Sequence, residues 1–137
     1  MYETFEHTAD LGLRVRSADL NTLFAEAAEA LFATILDGDL TSVVPRQEIE
    51  VRLPSDDLEY LLFDWLKALL YHFDAELVLF SKFTVEVGPD GLSASAWGEP
   101  LDRARHELGH EVKAITYHGL RVEQMSDGWL AEVIVDI

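Results

Sequence analysis

Two groups of residues in this chain have the types and spacing for chemistry. The first is His106-Glu107-Leu108-Gly109-His110, which fits the pattern H-E-x-x-H. On a continuous helix that spacing puts two imidazoles on one face to hold zinc, with the glutamate activating a bound water. The second group is rich in oxygen. His7, Thr8 and Asp10 cluster near the start, and Asp136-Ile137 place a side-chain carboxylate next to a main-chain one at the other end. Oxygen-only donors favour calcium, magnesium or manganese over zinc.

Each group also has an ordinary reading. His7, Thr8 and Asp10 suit a cation or phosphate, but Asp and Thr side chains equally form Asx-type turns by bonding the local backbone. Asp136 follows Val133-Ile134-Val135, a run that reads as a buried central strand. Its carboxylate therefore pairs with a cation such as Lys113, ligates a metal, or is solvated at the strand's exit, because an unpaired buried charge is costly. Lys113 lies in V-K-A-I-T-Y-H, where alternation groups it with Ile115 and Tyr117. That face is either solvated or held over an acidic site.

The zinc reading meets local objections. Gly109 weakens any helix there by about 1 kcal/mol relative to alanine. The residues after His110, EVKAITYH, alternate and carry β-branched side chains, so they read as strand. The longer form of the motif needs glycine and histidine where this chain has Lys113 and Thr116. A loop ahead of a strand is expected instead.

The elements that must position these residues follow from apolar periodicity. One helix runs through Leu20, Leu23, Phe24, Ala27, Ala28, Leu31, Phe32 and Ile35, and stops at Asp37-Gly38. A second runs through Leu58, Leu61, Leu62, Trp65, Leu66, Leu69, Leu70 and Phe73, with Ser55 and Asp56 as N-cap candidates. Strands are predicted around Leu13–Val15, Ile49–Leu53, Phe83–Val87, Leu92–Ala96, Val112–His118, Leu120–Gln124 and Trp129–Ile137. Gly88-Pro89-Asp90-Gly91 and Ser126-Asp127-Gly128 supply the turns. The expected fold is α+β: a two-layer sandwich of a mainly antiparallel or mixed sheet covered by two long helices, as one domain over residues 1–137.

Composition narrows the function classes. The chain has no cysteine, which excludes thiolate metal sites and thiol nucleophiles. No apolar run approaches the roughly 20 residues needed to span a bilayer, and the opening residues lack the apolar stretch of a secretory signal, so a cytoplasmic protein is expected. Asp and Glu number 26 against 10 Lys and Arg, a formal net charge of −16. Such a surface repels phosphate backbones and disfavours direct nucleic-acid binding. It attracts divalent cations or a basic protein partner, or serves solubility or a salty or hot habitat.

Taken in order, His7-Thr8-Ala9-Asp10-Leu11-Gly12, Gly98-Glu99, Arg105-His106, Val112-Lys113-Ala114-Ile115-Thr116-Tyr117-His118 and Asp136-Ile137 resemble the archease family over essentially the whole chain. The resemblance implies a small acidic protein that is not itself an enzyme. It would assist the GTP- and manganese-dependent RNA ligase of tRNA splicing and RNA repair by promoting ligase guanylylation, repeated turnover and broader nucleotide use. It further implies a divalent-cation site, calcium in the isolated protein with magnesium or manganese as alternatives, at Asp10, Asp136 and Ile137. Lys113, His7 and His106 are the residues it marks for ligase activation. Two other readings stay open: a zinc-dependent hydrolase built on His106, Glu107 and His110, and a calcium-binding protein whose metal only ties the ends of the chain together.

Overall fold

The structure, a computed structural model, describes residues 1–7 and 10–137, with His7 described by its backbone. The elements in chain order are β1 (Tyr2–His7), β2 (Asp10–Ser17), α1 (Leu20–Ile35), β3 (Gln47–Pro54), α2 (Leu58–Glu76), β4 (Val78–Gly88), β5 (Gly91–Pro100), β6 (Ala114–Ile115), β7 (Arg121–Met125) and β8 (Gly128–Asp136). Strands pair in the order β1-β2-β8-β6 in one sheet, with β7 also on β8, and β3-β5-β4 in the other. Every pairing among these strands is antiparallel.

The α+β class and the antiparallel pairing match the periodicity. The single covered sheet does not: the strands form two sheets. Helix α1 lies against β1, β2 and β8 of one sheet and β4 of the other, so its apolar stripe serves both. Leu23, Phe24, Ala27, Leu31, Phe32 and Ile35 are all buried. Phe32 meets Phe80 edge-on at 5.5 Å and stacks on Phe83 at 6.0 Å, both on β4. Trp65 of α2 is fully buried and donates its indole N–H to the Phe24 carbonyl at 3.0 Å, which satisfies its one polar atom and fixes α2 on α1.

Two local expectations shift. The N-cap of α2 is Asp57, not Ser55 or Asp56; its Oδ1 accepts from the Glu59 and Tyr60 N–H groups at 3.0 and 3.1 Å. Ser55 instead accepts from the Asp57 N–H through its hydroxyl at 3.0 Å. The strand expected over residues 112–118 shrinks to Ala114–Ile115. The reason is competition for one edge of β8: β7 pairs with residues 128–132, leaving β6 only the far end. Thr116 then ends the ladder by donating both its N–H and its hydroxyl to the Ile134 carbonyl, at 3.0 and 2.9 Å, before the chain turns through Gly119 at φ +67°.

Candidate functional site

The β2–β8 register pairs residues 10–17 with 136–129 without interruption. Opposed residues in an antiparallel pair project to the same face, and the face alternates along the strand. Leu13 with Val133 and Val15 with Ala131 face the core and are buried. The other face carries three successive rows. Glu3, Arg14, Glu132 and Arg121 form the first, across β1, β2, β8 and β7. Signs alternate along it, and ion pairs follow: Arg14 to Glu132 at 2.6 Å, Arg121 to Glu132 at 2.7 Å, and Arg14 to Glu3 at 3.3 Å. Burial opposes ionisation of Glu132, but its hydrogen bonds from Arg14 and Arg121 win and hold its carboxyl below the usual range.

Phe5, Gly12 and Ile134 form the second row. A Cβ on Gly12 would come within 2.1 Å of the Phe5 ring, so the residue must be glycine for Phe5 to lie across the strand. The third row is Asp10, Asp136 and Ala114, at the open end of the sheet. Here two aspartates from opposite ends of the chain are register neighbours, both half-buried. The strands that meet are the second and the last, with β1 outside them.

Lys113 joins the same end through its backbone, donating its N–H to the Asp136 carbonyl at 2.7 Å. It is exposed and borders a cleft of about 620 Å³ whose other walls include Phe73, Asp74, Leu101, Arg103 and Glu111. Burial in that cleft, reinforced by Glu111, pushes the Asp74 carboxyl up. Ile137 follows Asp136 and is half-buried. His7 holds the register position opposite Asp10, while Thr8 and Ala9 of the same motif lie outside the described residues.

His106 lies elsewhere. It is buried, and its Nδ1 accepts the Asp102 N–H at 2.9 Å, which places the ring proton on Nε2. Nε2 then donates to Glu99 Oε2 at 3.0 Å. Both ring nitrogens are thus used internally, and His106 is not among the residues lining the cleft beside Lys113. Glu99, only 2% exposed, is the hub of this cluster. Arg105 reaches it at 2.8 Å, the Val44 N–H at 2.7 Å and Arg46 at 3.3 Å. The Arg105 hydrogen bond, with help from Val44 and His106, overcomes burial and lowers the Glu99 carboxyl to about 2. Sequence reasoning quoted Glu99, Arg105 and His106 but did not see that they bond one another; the signal was a lone acid in an apolar strand, with a cation and an imidazole one loop away.

The H-E-x-x-H segment contains no helix; its one regular feature is an isolated bridge between Leu108 and Leu36. Its N–H groups satisfy the last carbonyls of α1: Gly109 to Ile35 at 2.8 Å and His110 to Thr34 at 3.0 Å. A Cβ on Gly109 would lie 2.6 Å from the Leu36 carbonyl oxygen, so glycine is required by close approach to the helix end. With His106 buried and His110 exposed, the geometry of a zinc hydrolase is absent. Among the described residues no group of three or more His, Cys, Asp or Glu converges in a way that would hold a metal. The described residues also contain no helix long and apolar enough to cross a membrane.

Comparison with known proteins gives a consistent result. The model of the archease protein family matches residues 2–137. Protein archease of Sulfurisphaera tokodaii is 40% identical over 138 residues, covering 99% of this chain and 98% of its own. The solution structure of Methanobacterium thermoautotrophicum protein 1598 superposes with a TM-score of 0.85 at 37% identity, over 99% of this chain and 98% of that one. The crystal structure of a Thermotoga maritima archease, described as a possible chaperone, shares the fold at a TM-score of 0.68 and 24% identity, over 100% of this chain and 98% of that one.

Proposed function

The chain belongs to the archease family, and from that premise we propose that it is the protein cofactor of the GTP- and manganese-dependent RNA ligase of tRNA splicing and RNA repair. It acts on a protein and carries out no bond chemistry of its own. Its task is to promote guanylylation of the ligase, permit repeated turnover and widen the choice of nucleotide.

The observation that carries this reading is the register pairing of Asp10 with Asp136 at the open end of the larger sheet. Like charges directly opposed on neighbouring strands repel, and a cation between them converts that repulsion into attraction. Carboxylate oxygens are hard donors suited to calcium, magnesium or manganese, so the residues fit such an ion. Asp10 and Asp136 would hold it, with a main-chain oxygen of Ile137. When bound, the ion supplies a Lewis-acidic centre for phosphate oxygens. Lys113 is tied to Asp136 through its backbone N–H, and its exposed side chain borders the neighbouring cleft. The net charge of −16 favours a basic protein cleft over RNA as the direct partner.

The role of these residues is positioning: they bring charge to the mouth of the ligase active site and order the groups there. The test is multiple-turnover sealing of an RNA with a 2′,3′-cyclic phosphate end by the cognate ligase, with the wild-type chain, Asp10→Ala or Asp136→Ala. Folded variants that sustain turnover as well as the parent would reduce the carboxylate pair to a structural tie. No stimulation by the wild-type chain would reject the cofactor reading itself.

A further inference from the structure

Tyr60, in the first turn of α2, lies outside the core, and Phe63, one turn further on, is only partly buried against it. Tyr60 and Phe63, three residues apart on one helical face, meet Tyr117 from the segment just after β6. Tyr117 stacks on Phe63 at 4.0 Å between ring centroids and 16° between planes, and meets Tyr60 edge-on at 5.3 Å. Tyr60 remains 54% exposed and Tyr117 49% exposed. Three rings held against one another with half of two of them in water make a rigid, pre-formed surface, and ordering it costs nothing further when something binds.

The chemistry around the rings selects what would bind. Lys67 already sits over Phe63, its Nζ 5.7 Å from the ring centroid, so the stack attracts a cation within its own chain. Asp57 caps α2 through Oδ1 alone, which leaves its second oxygen for another donor. Asp57, the N-cap, stands three residues before Tyr60 and Asp64 four after it, so both carboxylates lie on the helical face that carries the ring. A planar guanidinium satisfies every one of these features, stacking on an aromatic face while its N–H groups reach carboxylates. A nucleic-acid base could stack on the same rings, but its phosphates would meet Asp57, Asp64 and a chain of net charge −16.

We propose that the Tyr60–Phe63–Tyr117 stack, rimmed by Asp57 and Asp64, is a docking surface for an arginine-bearing segment of a partner protein. Chain connectivity links this surface to the carboxylate pair, since Tyr117 comes three residues after Ala114, which pairs with Asp136. It rests on the reading above only in that a protein partner exists, and it separates grip from activation: the rings hold the partner while the Asp10–Asp136 end acts on it.

The test is a titration of the full chain with hexaarginine, hexalysine and a uridine-rich single-stranded RNA, followed by the Tyr ring resonances. Hexaarginine is expected to shift Tyr60 and Tyr117 and to bind more tightly than hexalysine. The double variant Tyr60→Ala/Tyr117→Ala should lose about tenfold in hexaarginine affinity and lose the preference for arginine. Tyr60→Phe/Tyr117→Phe keeps the ring faces and should retain binding, which guards against a mere folding defect. Equal hexaarginine affinity in the alanine variant and the parent, or tighter RNA binding at the same rings, would overturn the proposal. Neither result depends on the ligase, so failure here leaves the cofactor reading standing.

Discussion

Asp10 and Asp136 occupy directly opposed positions on β2 and β8, while four residues further along the same strands the opposed residues are Arg14 and Glu132, joined at 2.6 Å. One sheet face thus carries a matched ionic row and, two rows away, a pair of like charges. Opposed like charges on a sheet are destabilising, by up to about 1 kcal/mol. The cation proposed above would sit between these opposed carboxylates.

A stability measurement follows directly. With chelator present, Asp136→Asn is expected to melt at or above the wild-type temperature, because one of two repelling charges is gone. With calcium at about a hundredfold its dissociation constant the wild-type chain should gain about 2.7 kcal/mol, and the variant much less. Calorimetry in chelator and in calcium checks both; an equal calcium response in the two proteins would refute the site.

The Glu99 cluster predicts a pH effect. Its carboxyl is held at about 2 against an ordinary 4.5, so the folded chain prefers the ionised form. That contribution is complete above about 4.5 and is lost as pH falls from there through about 2. Glu99→Gln should therefore flatten this part of the acid-unfolding curve. It should also cost about 1–3 kcal/mol at neutral pH, because buried donors lose their acceptor. Denaturant melts at a series of pH values would show it.

Gly109→Ala and Glu107→Gln separate the two meanings of the H-E-x-x-H segment. The alanine Cβ would lie 2.6 Å from the Leu36 carbonyl, forcing the segment off the end of α1. A loss of about 1–3 kcal/mol is expected from that overpacking. Glu107 is exposed, and Glu107→Gln should stay within about 0.5 kcal/mol of the parent. A zinc-dependent hydrolytic activity abolished by Glu107→Gln would reverse this assignment.

Much of this was legible in the residues. Both helices start at Leu20 and Leu58 as their apolar stripes require, and the strand alternation at Ile49–Leu53 and Leu92–Ala96 holds. Periodicity reports which face is apolar, so it located elements and their inward sides well. Pairing partners leave no such trace. Nothing local says that β7 takes most of the β8 edge and shortens β6 to Ala114–Ile115, or that the strands divide into two sheets. For the site, the types of Asp10 and Asp136 were readable, but their adjacency is a property of the β2–β8 register. The partners of His106, Glu99 and Asp102, likewise come from the fold around it and not from its spacing.

The most direct test of the central claim is guanylylation of the cognate RNA ligase, followed with labelled GTP and manganese, with no added chain, the wild-type chain, and Asp136→Asn. Strong stimulation by the wild-type chain is expected, and its loss with the folded variant, without loss of binding to the ligase. Stimulation by Asp136→Asn equal to that of the wild-type chain would contradict it.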